Sequence, residues 1–242
     1  MFFLQAIINC VNLTTSQKPA PDQQSFRCGN NGNLKSDDLL QQRDIAFNHL
    51  AQIGGVGDGY QTGEGAGIWT SGLCPPNIKK EACNECIINT IPYLKKNCPK
   101  QKEGVAYTVL PRVICIVRYT DSPNIQRVAE LSWATFGSPP NLTAANAGEL
   151  EKGLNNLADK LKGPAARGDG KYASGNLTYG PGSRTLYGSM QCSPPANVDT
   201  CMNCFSDATK EIHNCCSKNR KMTGLALSGN CYLWYAHFKF HP

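Results

Sequence analysis

The sequence predicts an α+β protein of two small tandem modules, each an antiparallel β-sheet packed against two α-helices and stapled by disulfides. Three observations predict this fold class. The spacing of Cys74, Cys83 and Cys86 returns 118 positions later in a second cysteine triplet. The chain of 242 residues exceeds the usual size of one domain. Helix-like and strand-like patterns also follow one another in a similar order in both halves.

The repeat extends beyond the triplet, whose second copy is Cys192, Cys201 and Cys204. Cys98 recurs as Cys216 at the same offset, and Cys115 recurs as Cys231 at an offset of 116. Self-similarity at a fixed period is typical of duplicated structural units. We therefore expect two homologous modules, with the following division: a signal-like remnant and flexible lead-in at 1–25, a first domain at 26–120, a linker at 121–126 and a second domain at 127–242.

The cysteine content indicates an oxidising compartment. Thirteen cysteines are more than a cytosolic protein of this size normally carries, because thiol pools there keep disulfides reduced. The first thirteen residues resemble the apolar part of a secretory signal, although they lack a basic start. Their removal would take Cys10 and leave an even twelve cysteines. Asn141 and Asn176 begin Asn-Leu-Thr sequons, the acceptor motif of N-glycosylation.

Charge and hydropathy argue against a nucleic-acid site and against a membrane-spanning helix. The net charge of +6 is spread over the chain, and its Lys and Arg residues do not interleave with stacking aromatics, so no nucleic-acid site is expected. After the first residues, no run approaches the roughly 20 apolar residues that a membrane-spanning helix needs. We therefore expect a secreted protein without a membrane span.

Local patterns place the elements of module one. Apolar residues recur at helical spacing from Ser36 until Gly54-Gly55, and again over 79–97, where Pro92 is expected to kink the helix or begin a new turn. Strands are predicted around 26–28 and 67–74 and, from alternating apolar and polar residues, over 105–109 and 112–119. The segment 57–67 is rich in glycine and is predicted to be a turn region.

Module two is predicted along the same lines. The elements expected are a strand at 130–136, a helix at 143–162 with Thr143 as its N-cap, an exposed insertion at 163–182, a strand at 183–191, a helix at 197–213, and strands at 221–227 and 230–240. Near the C-terminus, Trp234, Tyr235, Phe238 and Phe240 form an apolar group that we expect to be mostly core.

The Cys-x-x-Cys pairs allow three interpretations. A thioredoxin-like redox centre has no competing cysteine nearby, whereas Cys74 lies nine positions before Cys83. A zinc site needs two converging ligand pairs, and here the pairs lie in separate repeats. Structural disulfides are favoured, because each pair has companions within its own module. We expect no metal and no cofactor.

These cysteine motifs carry a resemblance to a known family. The Cys-x8-Cys-x2-Cys signature, the apolar strand before it, the cysteine twelve positions after it and the Cys-x3-Tyr final strand resemble the ginkbilobin-homologous domain, also called the stress-antifungal domain. Two such domains in tandem are similar to plant cysteine-rich repeat secretory proteins, over roughly residues 26–240. The resemblance implies a small α+β module and secretion into the apoplast.

The resemblance also implies a disulfide pattern. Carried onto this chain, it pairs Cys28 with Cys98, Cys74 with Cys83, Cys86 with Cys115, Cys192 with Cys201, and Cys204 with Cys231. Module two departs from the family pattern, because its opening strand has no cysteine and an extra Cys215 stands beside Cys216. Four interpretations of these two residues stay open: a vicinal disulfide, two free thiols, a bond to another chain, or two small buried residues without a bridge.

A mannose-binding member of the family contacts its ligand through an Asn, an Arg and a Glu at fixed offsets from the cysteines. This chain has Gly29, Val109 and Thr120 at those places in module one. In module two, Leu225 and Ala236 occupy the latter two positions. Without the polar groups that exchange hydrogen bonds with sugar hydroxyls, weak or no mannose binding is expected.

Two arginines could take over the sugar-contacting role in space, Arg112 and Arg118. We favour the interpretation that both are exposed strand arginines. Catalysis has no support from the sequence, because the four histidines stand in no recognisable nucleophile or metal spacing and no acid–base pair is evident. A non-enzymatic protein without catalytic residues is therefore predicted.

Two functional hypotheses follow. The first is a secreted apoplastic protein of stress or defence, with antifungal activity as an extension, that binds a cell-wall glycan or a cell-surface partner. The second is a protein-interaction ectodomain that pairs with a receptor-like kinase without a sugar ligand. In both, specificity would lie in variable loops on a rigid frame.

Overall fold

Each half of the chain forms a five-stranded antiparallel sheet with two helices on one face. The computed structural model describes residues 23–52, 59–110, 113–124, 133–139 and 142–239. Within these ranges the predicted α+β fold class is confirmed. The predicted residues Arg112, Asn141 and Phe240 lie outside the described residues, as do Cys10 and the last two residues of the predicted linker, 125–126.

The elements in the described part of module one are β1 Gln23–Cys28, α1 Asp37–Gln52, β2 Tyr60–Gly65, β3 Ile68–Leu73, α2 Lys80–Asn97, β4 Glu103–Val109 and β5 Ile114–Thr120. The strands form one antiparallel sheet in the order β1-β4-β5-β3-β2. Helix α2 buries Cys83, Cys86, Ile87 and Leu94, which follow the predicted steps of three and four. Pro92 lies inside this helix and does not end it.

Module two repeats this arrangement, with strand order β6-β9-β10-β8-β7. Its elements are β6 Ala134–Gly137, α3 Ala144–Arg167, β7 Tyr172–Tyr179, β8 Arg184–Cys192, α4 Val198–Ile212, β9 Thr223–Leu227 and β10 Cys231–Ala236. A π-helical turn, His213–Ser217, extends α4. Each strand of the second sheet thus has a counterpart at the same place in the first, as the repeat predicts.

The prediction of a turn region at 57–67 is wrong for most of that segment. Strand β2 occupies it and pairs with β3 in an antiparallel hairpin closed at Gly67, whose φ is +75°. The glycines there serve helix–strand packing, because a Cβ on Gly63 or Gly65 would collide with the backbone of α1 at Ala46 or Gln42. A glycine-rich composition therefore marks a close approach of two elements here.

Replacing Gly63 by alanine should lower the free energy of unfolding by about 2 kcal/mol, because backbone atoms of α1 cannot move aside as a side chain could. Gly148 provides the matched control, since it is exposed within α3 and nothing lies within 4 Å of the place of its Cβ. Gly148→Ala should raise stability by about 0.5–1 kcal/mol. Urea denaturation of both variants would test this, and equal effects would contradict the packing interpretation.

The prediction of an exposed insertion at 163–182 is also wrong. Helix α3 continues through Gly163 and Pro164 to Arg167, because Ala165 and Ala166 are buried in the core of module two. Strand β7 follows and pairs with β8 along its whole length. Asn176 lies on this edge strand with an exposed side chain.

The predicted alternation of apolar and polar residues does not describe β5, which is buried at all seven positions. Cys115, Val117 and Tyr119 pack toward the helices of module one. Ile114 and Ile116 belong to a different cluster that includes residues of module two. Both faces of the sheet are therefore covered, one by helices and one by the other module.

Six disulfides cross-link the described chain. They join Cys28 to Cys98, Cys74 to Cys83, Cys86 to Cys115, Cys192 to Cys201, Cys204 to Cys231, and Cys215 to Cys216. The first five are the pairs that the family resemblance implies. In each module, two disulfides therefore start from the second helix. One leads to the end of the strand before that helix, and the other leads to the last strand.

Candidate functional site

The two sheets face each other through a shared hydrophobic cluster, called here the inter-module cluster. Module one supplies five of its buried residues and module two supplies four. The nine are Leu73, Val105, Tyr107, Ile114, Ile116, Ala134, Leu225, Leu227 and Tyr232. Side chains from the facing sheets fill the space between them, as in a sandwich of two sheets. Because both modules lose apolar surface to this cluster, each stabilises the position of the other.

Arg118 lies in this interface. Residues of β5 alternate between the two faces of the sheet, so Arg118 shares a face with Ile114 and Ile116. Only 1% of its surface is exposed. The prediction of an exposed strand arginine is therefore wrong, because the face that would meet water in an isolated module is covered by the second one.

The guanidinium of Arg118 makes three hydrogen bonds, two of which cross to module two. Nε donates to Ser71 Oγ at 2.8 Å, within module one. Nη2 donates to Ser193 Oγ at 3.1 Å, and Nη1 donates to Asn230 Oδ1, both in module two. All three acceptors are buried neutral oxygens. The planar fork of an arginine suits such divergent acceptors better than the point charge of a lysine would.

Burial shapes the electrostatics of this interface. Loss of solvent lowers the pKa of Arg118, an effect that the neighbouring Tyr60 and Tyr107 oppose. Burial likewise raises the pKa of the Tyr107 phenol, which the charges of Arg27 and Arg118 partly offset. A buried cation is expensive unless it is hydrogen-bonded. Arg118 thus depends on both modules being in place.

Two further hydrogen bonds join the modules away from Arg118. Arg27 donates from Nη2 to the backbone oxygen of Trp133 at 2.9 Å. Asn77 donates from Nδ2 to the hydroxyl of Tyr172 at 3.0 Å. These groups are half-buried or exposed, so water can replace them at small cost.

The positions that correspond to the family's mannose contacts do not form an open polar site. Gly29 is buried, and its backbone N–H donates to Glu103 O at 3.0 Å. Val109 and Leu225 belong to the inter-module cluster or pack against it. Thr120 is buried, and its hydroxyl accepts from the Ser122 backbone N–H. Ala236 is buried as well.

A separate groove of about 240 Å³ lies between α3 and α4. Its lining residues include Asn155, Asp159, Lys162, Lys210 and His213. His213 Nε2 lies 2.9 Å from Asn155 Oδ1, and burial lowers the pKa of its imidazole. The lysines are paired with carboxylates on their own helices. The groove therefore presents groups that already satisfy one another.

One signal in the sequence could have located Arg118. It stands within Ile-Cys-Ile-Val-Arg-Tyr, a strand with apolar neighbours on both parities, which is typical of a strand buried on both faces. Its counterpart at the offset of 116 is Trp234, which packs against the inter-module cluster. The predicted apolar group near the C-terminus is thus divided, because Tyr235 is core, Trp234 packs against the inter-module cluster and Phe238 is exposed.

Comparison with known proteins agrees with this architecture. The chain is 31% identical over 163 residues to cysteine-rich receptor-like protein kinase 29 of Arabidopsis thaliana, covering 66% of this chain and 23% of the kinase. It is 27% identical over 173 residues to cysteine-rich repeat secretory protein 59 of the same plant, covering 67% and 55% of the two chains. The chain thus spans about a quarter to about half of the length of these relatives.

A solved structure shows the same fold. The tandem DUF26 ectodomain of the Arabidopsis thaliana cysteine-rich receptor-like protein PDLP8 superposes with a TM-score of 0.61 at 14% identity, over 88% of this chain and 95% of that one. Among the described residues, none of the helices is long and apolar enough to cross a bilayer. The family model for salt stress response/antifungal domains matches residues 9–122 and 139–237. The chain therefore belongs to the stress-antifungal family and carries two copies of its domain.

Proposed function

We propose that this chain is an extracellular, non-enzymatic recognition protein that binds a cell-surface protein, such as the ectodomain of a receptor-like kinase, without a sugar ligand. The observation that carries the proposal is the position of Arg118. The guanidinium of this candidate for sugar contact is hydrogen-bonded to Ser71 in module one and to Ser193 and Asn230 in module two. The other positions expected to contact mannose are buried or apolar.

The rest of the architecture supports a rigid binding frame. Disulfides fix each module, and the inter-module cluster fixes one module against the other. Binding to such a frame costs little conformational entropy, because the frame is already ordered, and this favours affinity. The named relatives include receptor-like kinases and a secretory protein, and a receptor-facing role outside the cell is consistent with both.

The test compares two ligands on one preparation secreted from plant cells. Immobilised protein should bind the ectodomain of a cysteine-rich receptor-like kinase saturably, whereas calorimetry with methyl mannoside should show no binding heat. Reduced and alkylated protein is the control and should lose ectodomain binding. Mannose binding that disappears in Arg112→Ala would overturn the proposal in favour of a sugar site.

The same preparation tests the extracellular route. Asn176 is exposed on the edge strand β7, with Thr178 exposed on the same face, so in this proposal it carries an N-glycan. N-glycosidase should lower the mass of the secreted protein, and Asn176→Gln should abolish that glycan. A secreted protein without any glycan at Asn176 would contradict this assignment.

A further inference from the structure

Cys216 has lost the partner that its counterpart in module one has. Cys98, its counterpart, bonds to Cys28 on strand β1. In the sheet, Cys28 pairs with Gly104, which pairs with Tyr119. In module two, Gly137 pairs with Gly224, which pairs with Tyr235. Gly137 therefore stands where a second copy of Cys28 would be.

Gly137 lies within disulfide reach of Cys216, but in crowded surroundings. A Cβ built on Gly137 would lie 3.2 Å from Cys216 Sγ, and also 2.9 Å from the backbone oxygen of Thr223 and 2.7 Å from the Lys221 side chain. A cysteine at this position could therefore bond to Cys216 after a small shift of its surroundings. Cys216 bonds instead to its neighbour Cys215. Cys216 Sγ therefore lies where module one has the disulfide that ties α2 to β1, yet it forms no bond to the first strand of its own module.

The Cys215–Cys216 bond differs from the other five in what it constrains. Its sequence separation is 1, whereas the others span 9 to 70 residues. A disulfide stabilises a fold mainly by closing a loop of the unfolded chain, and this bond closes almost none. It also joins no two elements, so opening it leaves every strand and helix connected as before.

The surroundings suit a reduced pair. Cys215 is half-buried at the surface of the π-helical turn, and Cys216 is fully buried. Cys216 Sγ lies 3.5 Å from Phe136 O, and Cys215 Sγ lies 3.8 Å from Ile212 O, so each thiol formed by reduction has a carbonyl acceptor. Asn219 Nδ2 donates to Cys215 O at 2.9 Å and helps hold the turn without the disulfide.

We propose that Cys215–Cys216 is a thiol-exchange site, at which small extracellular thiols modify the folded protein. The thiolate of such a molecule attacks Cys215 Sγ, the more accessible sulfur. A mixed disulfide forms as the Cys215–Cys216 bond breaks, and the electron pair leaves on Cys216, which takes a proton from solvent. A second thiol molecule then attacks the small-molecule sulfur and releases Cys215, so two small thiols are oxidised to their disulfide while one protein disulfide is reduced.

The test measures exchange in the folded protein and is independent of any binding partner. Native protein is incubated with reduced glutathione and then alkylated, and its cysteine peptides are mapped by mass spectrometry. Glutathione adducts should accumulate on Cys215, and alkyl groups on Cys215 and Cys216, at least about tenfold faster than on any other cysteine, because access and scaffold constraint govern exchange. Circular dichroism should remain unchanged.

Two variants sharpen this test. Cys215→Ser leaves Cys216 as a thiol with no disulfide at this turn for reduced glutathione to attack, so neither position should carry an adduct under the same conditions. The double variant Gly137→Cys with Cys215→Ser should form a bond between position 137 and Cys216, the counterpart in module two of Cys28–Cys98. This bond should resist glutathione as Cys28–Cys98 does. The proposal is overturned if wild-type Cys28–Cys98 or Cys204–Cys231 opens as fast, or if Cys215 and Cys216 react only when circular dichroism shows loss of the fold.

Discussion

Replacing Arg118 by alanine should lower the free energy of unfolding by about 3 kcal/mol. The change leaves a cavity between the sheets and removes the donors of three buried acceptors, Ser71, Ser193 and Asn230. Buried groups that lose a hydrogen-bond partner cost about 1–3 kcal/mol, and cavities add to this. Urea denaturation monitored by tryptophan fluorescence would measure the effect.

Arg27→Ala is the matched control, because Arg27 also links the modules but is only half-buried. Its loss should cost less than about 1 kcal/mol, since water can reach the groups it leaves. Arg118→Met keeps most of the side-chain volume but has no hydrogen-bond donor. Its loss of stability therefore measures the hydrogen bonds without the cavity. If Arg118→Ala unfolds at the same urea concentration as the wild type, the arginine does not hold the modules together.

Removing the Cys28–Cys98 bond by a double change to alanine should destabilise the protein by about 4 kcal/mol. The bond closes a loop with a sequence separation of 70, and the entropy that a cross-link removes from the unfolded chain grows with loop length. It also ties the edge strand β1 to the end of α2. Denaturation under non-reducing conditions would give the difference.

The matched control is the double variant Cys215→Ala with Cys216→Ala. It removes two sulfur atoms, as the first double variant does, but the bond that it removes has a sequence separation of only 1. Its cost should be about 1 kcal/mol, most of it lost packing around the buried Cys216. The contrast between the two double variants isolates loop closure from side-chain loss. Equal losses of stability would show that loop closure does not dominate in this fold.

These expectations describe a protein whose stability is divided between covalent and non-covalent links. Disulfides act inside the modules, and Arg118 with the inter-module cluster acts between them. A mutation at the interface would therefore weaken the contact between the modules while leaving the disulfides within each module intact.

Much of the fold could be predicted from local patterns. The extent of α2 follows from its apolar spacing, and Thr143 does immediately precede α3. Strands β2 and β7 were missed for a common reason. Both are edge strands, rich in small or polar residues, and their pairing depends on a partner strand rather than on their own composition.

The candidate site could be predicted less well. Arg118 was considered for sugar contact and expected to be an exposed strand residue, and that exposure is wrong, since only 1% of its surface is exposed. Strand alternation assigns it to the face away from the helices, and only the docking of module two decides whether that face meets water. The neutral acceptors Ser193 and Asn230 lie 75 and 112 positions away, which no local pattern can connect.

The duplicated module, the positions of its cysteines and the helical and strand periods can be read from the order of residues alone, because they are properties of neighbouring residues and of a repeat. The face-to-face packing of the two sheets around Arg118, and the bond of Cys216 to Cys215 where Gly137 offers no sulfur, emerge only in the folded chain. Burial and disulfide reach depend on distances between segments remote in sequence, and those distances exist only once both modules have folded and docked.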